Sequence, residues 1–212
     1  MRQLVLIGSL VATLLYTGAA TEYGQVNGSP ATGMVGLNDA LRATGATPER
    51  ITITGWIEVP DAQVEQQVRT ALAWTQQTPA ETRELRTLAR NEAHYLTLRW
   101  VFAGGPAHQW EERFTLVRRV LSRPGGEPVL TVQLEGTTGR TQPARLVRSA
   151  LDVVNATGRQ PWAGPGSASL AGWTPGLPAG PYPTNIQVAA RTDSQTGRTH
   201  VWAAWPALQQ EY

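Results

Sequence analysis

Alternating apolar and polar positions recur in several short stretches of the chain and predict strands. Between Arg50 and Val59 the branched aliphatic residues Ile51, Ile53, Ile57 and Val59 are separated by multiples of two, and Pro60 follows. This spacing puts the apolar side chains on one face of a half-buried strand. The same reasoning predicts strands over residues 95–102, 129–135, 167–173, 185–191 and 199–206.

Apolar positions three and four residues apart predict helices in three other stretches. The first is Leu37–Thr44, where Asn38 or Asp39 is expected to cap the start and Gly45 the end. The second begins at Asp61, which suits a cap. The third begins at Gln142, and its apolar stripe consists of Leu146, Val147, Ala150, Leu151 and Val154.

Three stretches have a less regular pattern. Residues 81–91 suit either a helix or one arm of a hairpin. After the turn at Gly104-Gly105-Pro106, the stretch from Trp110 to Leu121 is interpreted as a returning strand with Phe114 and Leu116 pointing inward. Residues 174–183 contain several prolines and glycines and predict an irregular loop.

The order of the predicted elements indicates an α+β fold made of antiparallel sheets packed against long helices. The strongest internal break is Arg123-Pro124-Gly125-Gly126. We therefore predict two structural halves, residues 36–125 and 126–212, each a two-layer unit.

The first twenty residues have the layout of an export signal. One arginine is followed by an apolar stretch and then by the small residues Thr17-Gly18-Ala19-Ala20, which predict cleavage after Ala20. An uncleaved membrane anchor is the alternative, but the stretch is short for a bilayer. Residues 21–35 are expected to form a flexible leader, and the mature protein is expected to be soluble and extracytoplasmic.

The amino-acid composition argues against several classes of function. The chain contains no cysteine, which excludes thiol nucleophiles, disulfides and cysteine-based metal sites. All of its 18 basic residues are arginines, balanced by 16 acidic residues, so the formal net charge is only +2. Nucleic-acid binders concentrate positive charge, and near-neutrality argues against that role.

No catalytic, cofactor-binding or metal-binding motif is found in the sequence. The three histidines, His94, His108 and His200, lack the helical spacing of a metal site. No Gly-x-Ser-x-Gly or phosphate-loop motif occurs. A glycosidase-type pair of carboxylates stays open as an alternative, although the adjacent Glu111 and Glu112 would point to opposite faces of a strand.

Tryptophan is unusually frequent, with 8 residues against 2 phenylalanines. Tryptophans can fill a core or form a platform for sugars or a partner peptide. Trp162, Trp173 and Trp205 lie near predicted loops or the C-terminus, and they are the candidates for partner binding.

The chain resembles the YwmB family of exported bacterial proteins. The resemblance rests on the stretch from Leu37 to Ala46, Gly55-Trp56, the helix from Asp61, and the tail from Asn185 through Thr199-His200-Val201-Trp202 to Glu211-Tyr212. It implies a fold like that of the TATA-box-binding protein, with two related halves, and a Gram-positive source. It implies no DNA binding and supplies no functional residues.

Three hypotheses for function follow. The leading one is a non-enzymatic envelope protein that binds a protein partner or cell-wall material, with a link to spore formation implied by the resemblance. The second is an envelope hydrolase that uses a carboxylate pair. The third, nucleic-acid binding, requires a contiguous arginine face.

Overall fold

A computed structural model describes residues 34–73, 81–90, 93–105, 107–122, 127–180 and 182–208. Four helices lie in these residues: α1 (Val35–Ala43), α2 (Ala62–Ala73), α3 (Ala107–Leu121) and α4 (Pro143–Val153). The strands are β1 (Arg50–Val59), β2 (Thr82–Arg90), β3 (Ala93–Ala103), β4 (Val129–Thr138), β5 (Thr157–Gly164), β6 (Ser167–Trp173), β7 (Ile186–Thr192) and β8 (Thr199–Trp205). The predicted α+β class is confirmed.

All eight strands form one antiparallel sheet in the order β2-β3-β1-β4-β8-β7-β6-β5. The strands of the two predicted halves are joined where β1 pairs with β4, from Arg50 opposite Glu135 to Trp56 opposite Val129. β4 in turn pairs with β8. The sheet is therefore continuous across the break at residues 123–126, which lie outside the described residues.

The helices pack on one face of this sheet, which we call the helix face. On β1 it carries Ile51, Ile53, Ile57 and Val59, all buried, as the period-two pattern predicts. Phe114 of α3 contacts Trp205 of β8 edge to face on the same side, with ring centroids 5.6 Å apart. Leu146, Val147, Ala150 and Leu151 of α4 are also buried there.

The predicted strand from Trp110 to Leu121 is wrong, because this stretch is helix α3. Trp110, Phe114, Val117 and Leu121 are all buried, and their spacing of four, three and four residues is that of one helical face. A strand would have put Phe114 and Val117 on opposite faces of the sheet. His108, predicted to lie in a turn, is also in this helix.

Two other elements differ from the prediction. Helix α1 begins at Val35 without a side-chain cap, so neither Asn38 nor Asp39 caps it. Strand β5 was not predicted, because its residues Thr157–Gly164 are mostly exposed and include glycine and proline, which leaves no apolar alternation. By contrast, Asp61 accepts a hydrogen bond from the Val64 N–H at 2.8 Å and caps α2 as predicted.

Two glycines allow the loop before β1 to pack between neighbouring strands. A Cβ atom on Gly104 would lie 1.7 Å from the Pro48 carbonyl oxygen, and one on Gly136 would lie 2.2 Å from that of Thr47. The Gly104 N–H donates to the Glu49 carbonyl, and the Glu49 N–H donates to the Glu135 carbonyl. Because neither position carries a side chain, the loop can approach closely, and these hydrogen bonds hold the start of β1 against β3 and β4.

Candidate binding face

The strand residues that alternate with the core positions point away from the helices, to what we call the far face. Four large apolar strand residues on this face are substantially exposed: Trp56 (38%), Leu88 (46%), Trp162 (53%) and Trp173 (43%). In the described part of the chain the other exposed large apolar residue is Val153, which belongs to α4. Exposed apolar side chains on a single face are typical of a surface that binds a partner.

One group of these residues, the first corner, consists of Trp56, Leu88 and Tyr95. Leu88 of β2 lies opposite Tyr95 of β3 in the strand register. The Tyr95 ring contacts the Trp56 indole edge to face, with centroids 5.6 Å apart and an interplanar angle of 78°. Three neighbouring strands thus contribute one side chain each to a continuous apolar area.

The second corner consists of Trp162 and Trp173, on the two strands at the opposite edge of the sheet. Trp162 lies opposite Ser169, and Trp173 lies four residues further along β6, about 13 Å away at the usual rise per residue. A Cβ atom on Gly164 would lie 3.2 Å from Cη2 of Trp162, so the indole lies along its own strand over Gly164. This glycine leaves room for the ring beside the backbone.

Hydroxyl and amide side chains occupy the far face between the two corners. Thr54 and Thr131 are hydrogen-bonded to each other across β1 and β4. Gln187 donates to the Ser169 hydroxyl at 3.0 Å and accepts from the Leu208 N–H at 3.1 Å. Thr131 and Ser169 are buried and hydrogen-bonded, so this central part is a closed polar area rather than an apolar groove.

Two pairs of opposite charges lie on the far face. Arg50 of β1 lies 3.3 Å from Glu135 of β4, and Arg86 of β2 lies 3.1 Å from Glu84 on the same strand. His200 stacks on Trp202 at 5.9 Å. The far face therefore carries exposed aromatic groups and pairs of charges of opposite sign around a buried polar centre.

The three tryptophans selected from the sequence do not lie together. Trp162 and Trp173 share the second corner, but Trp205 is on the helix face, 9% exposed, and its indole N–H donates to the Pro178 carbonyl at 2.8 Å. Its position at the end of the last strand suggested exposure, whereas contact with Phe114 buries it. The predicted cleavage site at Ala20 lies outside the described residues.

The first corner was missed in the sequence. Trp56 lies off the isoleucine face of its strand, and that alternation is the signal that places it on the far face. Leu88 gave no such signal, because residues 81–91 suited a helix as well as a strand. Only the pairing of β2 with β3 brings Leu88 next to Tyr95.

A buried polar cluster, which we call the Glu81 cluster, lies on the helix face between β2, β3 and α3. The Glu81 side chain is 2% exposed; its oxygens accept from the Trp100 indole at 3.1 Å and from Arg113 at 2.5 Å. The Arg83 guanidinium lies 4.4 Å from the Trp100 ring centroid and donates to the Leu72 carbonyl. Burial lowers the pKa of Arg83, and the charge of Glu81 opposes that shift. Because both oxygens of Glu81 are engaged, this carboxylate holds structure together.

The other carboxylates that form ion pairs also face arginines. Glu65 pairs with Arg69 at 2.6 Å on α2, and Asp152 pairs with Arg159 at 2.6 Å. In the residues that the structure describes, no three His, Asp or Glu side chains come together as a metal site would require. No helix in these residues is long and apolar enough to cross a membrane.

Comparison with known proteins gives no family and only a distant structural likeness. No protein-family profile matches the chain, and no curated protein matches it. Among solved structures, the chain is similar to a Bacillus cereus protein related to NIF3, with 12% identity and a TM-score of 0.22. The match covers 60% of this chain and 43% of that one. At this TM-score we draw nothing from it about fold or function, and the resemblance to the YwmB family stays a prediction.

Proposed function

We propose that the protein is an exported cell-envelope protein that binds an envelope protein or cell-wall material through its far face, without chemistry of its own. Support for export comes from the signal-like residues 1–20. A likeness to the TATA-box-binding protein, with two related halves, belongs to the same proposal. It is supported by a continuous antiparallel sheet with helices on one face. A role in spore formation is the part that rests on the family resemblance alone.

The observation that carries the binding role is the distribution of exposed apolar side chains. Trp56, Leu88, Trp162 and Trp173 occur on four strands and all lie on the far face. Burying a large indole against a partner releases water from apolar surface while its N–H group can still find a hydrogen-bond partner. Tryptophan is for this reason enriched among the residues that dominate binding energy at interfaces.

The test compares binding of the purified protein and a W162A/W173A variant to cell-wall sacculi and to solubilised envelope proteins. We expect the variant to bind at least about tenfold more weakly, since truncating an interface tryptophan removes about 2 kcal/mol or more. V153A is the matched control, because it removes an exposed apolar side chain of α4 that is not on the far face. Unchanged binding by the tryptophan variant would show that the second corner does not bind this material.

The same material distinguishes the rival functions. Hydrolysis of the sacculi by the purified protein would replace the binding proposal with the hydrolase hypothesis. Salt-dependent retention of DNA would support a nucleic-acid role, and we expect none, because the formal net charge is only +2 and two far-face arginines, Arg50 and Arg86, are paired with glutamates. Export itself is tested by mass spectrometry of the protein from the producing cell, where we expect Thr21 to be the first residue.

A further inference from the structure

The outer edge of β2 presents a regular row of backbone groups. β2 is the first strand of the sheet and, in the described part of the chain, pairs with β3 alone. The register is unbroken from Thr82 opposite Val101 to Arg90 opposite Ala93. In an antiparallel sheet every second residue of an edge strand directs its N–H and C=O groups away from its neighbour. The Leu85 carbonyl is one of these, since it accepts from Arg69 of α2 at 3.4 Å.

The edge at the other end of the sheet is less suitable for adding a strand. β5 contains Pro161, which has no N–H group, and its register shifts between Thr157 and Gln160. Gly158 in this irregular part has a φ of +59°. Prolines and bulges are devices that protect edge strands from pairing. β2 has neither, and its protection consists of charged side chains.

The charges of β2 are complementary to those of a second β2. In an antiparallel pair with Leu85 opposite Leu85, each Glu84 lies opposite the Arg86 of the other copy. Both cross-strand pairs are then of opposite sign, the arrangement that stabilises neighbouring strands. In the alternative register with Arg86 opposite Arg86, like charges would face each other. Both side chains can reach a second copy, because that of Glu84 is 40% exposed and that of Arg86 is 72% exposed.

The same register also satisfies the backbone. Because Leu85 directs its carbonyl outward, the outward-pointing residues of β2 are those of its parity, which include Arg83 and Thr87. With Leu85 opposite Leu85, each Arg83 lies opposite a Thr87, so outward groups meet outward groups. A carbonyl oxygen can accept two hydrogen bonds, so the contact between Arg69 and Leu85 does not prevent pairing.

We propose that the outer edge of β2 is a self-association site, at which two copies of this chain pair antiparallel about a twofold axis at Leu85 with reciprocal Glu84–Arg86 contacts. The arrangement joins two eight-stranded sheets into one. It also places Leu88 of each first corner three residues from the axis, opposite Thr82 of the other copy. Such an interface is isologous, the usual form in a homodimer. The inference goes beyond the proposed function, because it requires no envelope ligand and does not involve the second corner.

The experiment measures the oligomeric state of the purified protein by light scattering and sedimentation over a wide concentration range. We expect a dimer for the wild type and a monomer for R86E, in which two carboxylates face each other in each cross-strand pair. E84R is also expected to be a monomer, because two guanidinium groups then face each other. A mixture of R86E and E84R is expected to form a heterodimer, because one copy then supplies two carboxylates and the other supplies two guanidinium groups. The double variant E84R/R86E is expected to dimerise again.

R191E is the matched control, since Arg191 is an exposed arginine of β7 on the far face, away from the β2 edge. It is expected to remain dimeric. Amide hydrogen exchange supplies a second readout, with the Leu85 and Thr87 N–H groups protected in the wild type and exchanging faster in R86E. Thermal unfolding shows whether each variant is folded.

Three outcomes would overturn the proposal. They are a wild-type monomer at every concentration, a dimer that survives both single charge reversals, or a mixture of the two reversals that stays monomeric. A monomer whose β2 amides become protected only with solubilised envelope proteins would assign the edge to another chain instead. Failure of the tryptophan variants to lose envelope binding would leave all these outcomes unchanged, so the two proposals fail separately.

Discussion

The two ends of the helix face bury polar groups in different ways. Next to β2 and β3 the Glu81 cluster uses charged side chains that come from different elements and meet over Trp100. Next to β6 and β7 a single neutral residue, Asn185, is fully buried. Its side-chain amide donates to the carbonyls of Thr174, Leu177 and Pro178 and accepts from the Thr174 N–H at 2.8 Å.

The two regions differ in how many of their buried polar groups have hydrogen-bond partners. Asn185 bonds to backbone of the loop that follows β6, so one side chain fixes that loop against the sheet. In the Glu81 cluster, Arg83 keeps a buried Nε and Nη2 that have no hydrogen-bond partner among the residues that the structure describes. Burying charged groups costs desolvation free energy. A neutral amide that bonds to backbone carbonyls largely avoids this cost. We therefore expect Asn185 to contribute more to stability than any one member of the Glu81 cluster.

The largest expected effect is that of N185A. It removes the acceptor of the Thr174 N–H and the donor of the Leu177 carbonyl, whereas the Thr174 and Pro178 carbonyls keep the Leu177 N–H and the Trp205 indole N–H. Because Asn185 is fully buried, we expect the free energy of unfolding to fall by about 3 kcal/mol. Urea unfolding measures this change. Q160A, which alters an exposed residue of β5, is the control and should change little. A loss for N185A no greater than that for the Glu81 variants would contradict the comparison.

A smaller loss is expected for E81A. This variant leaves the Trp100 indole N–H without its acceptor and Arg113 without its ion pair, but Arg113 is 26% exposed and can bind water. We expect about 2 kcal/mol. A double-mutant cycle with R113M measures the coupling between the two residues. An additive result would show that their contact contributes nothing to stability.

The third variant, R83M, tests the unsatisfied part of the cluster. Methionine keeps much of the contact with Trp100 and removes the buried nitrogens that lack partners. Removing these nitrogens offsets the loss of the cation–π contact and of the hydrogen bond to the Leu72 carbonyl. The free energy of unfolding should therefore change by less than about 1 kcal/mol. Urea unfolding beside E81A is the measurement. A loss as large as that of E81A would mean that the contacts of the Arg83 guanidinium outweigh the cost of burying it.

The smallest effect concerns acid pH at Glu65, on the side of α2 that contacts Thr87 of β2. Hydrogen bonds from Thr87 and Arg69 lower the pKa of this carboxyl below its ordinary value of 4.5. Because the folded-state pKa is the lower one, the stability it contributes is present above pH 4.5 and is lost as the pH falls through the folded-state value. E65Q should remove less than about 1 kcal/mol near neutral pH, and the difference from the wild type should shrink in acid. A constant difference across this range would exclude the linkage.

Elements with one buried face were predictable from the sequence. Strand β1 was predicted with the bounds that the structure has, because burial of one face selects apolar residues at alternate positions. Helix α4 was predicted for the same reason at helical spacing. The alternation of Phe114 and Leu116 wrongly predicts a strand at helix α3, because two positions two residues apart fit a strand although the longer repeat from Trp110 to Leu121 is helical.

The candidate site was only partly predictable. Trp162 and Trp173 were selected from the sequence, and the structure puts both on the far face. Trp205 was selected with them, but its burial depends on Phe114 of α3, a contact between residues remote in the chain. Trp56 and Leu88 belong to one corner only because β1 and β2 both pair with β3.

The sequence by itself determined the α+β class, the lack of any cysteine chemistry and the near balance of charge, because these depend on composition and on local periodicity. Tertiary structure alone decided which strands are neighbours and which strands lie at the two edges of the described sheet. It also decided that Glu81 meets Trp100 and Arg113, 19 and 32 residues further along the chain. Contacts at such separations depend on the packing of whole elements, and a local pattern of residues carries no record of them.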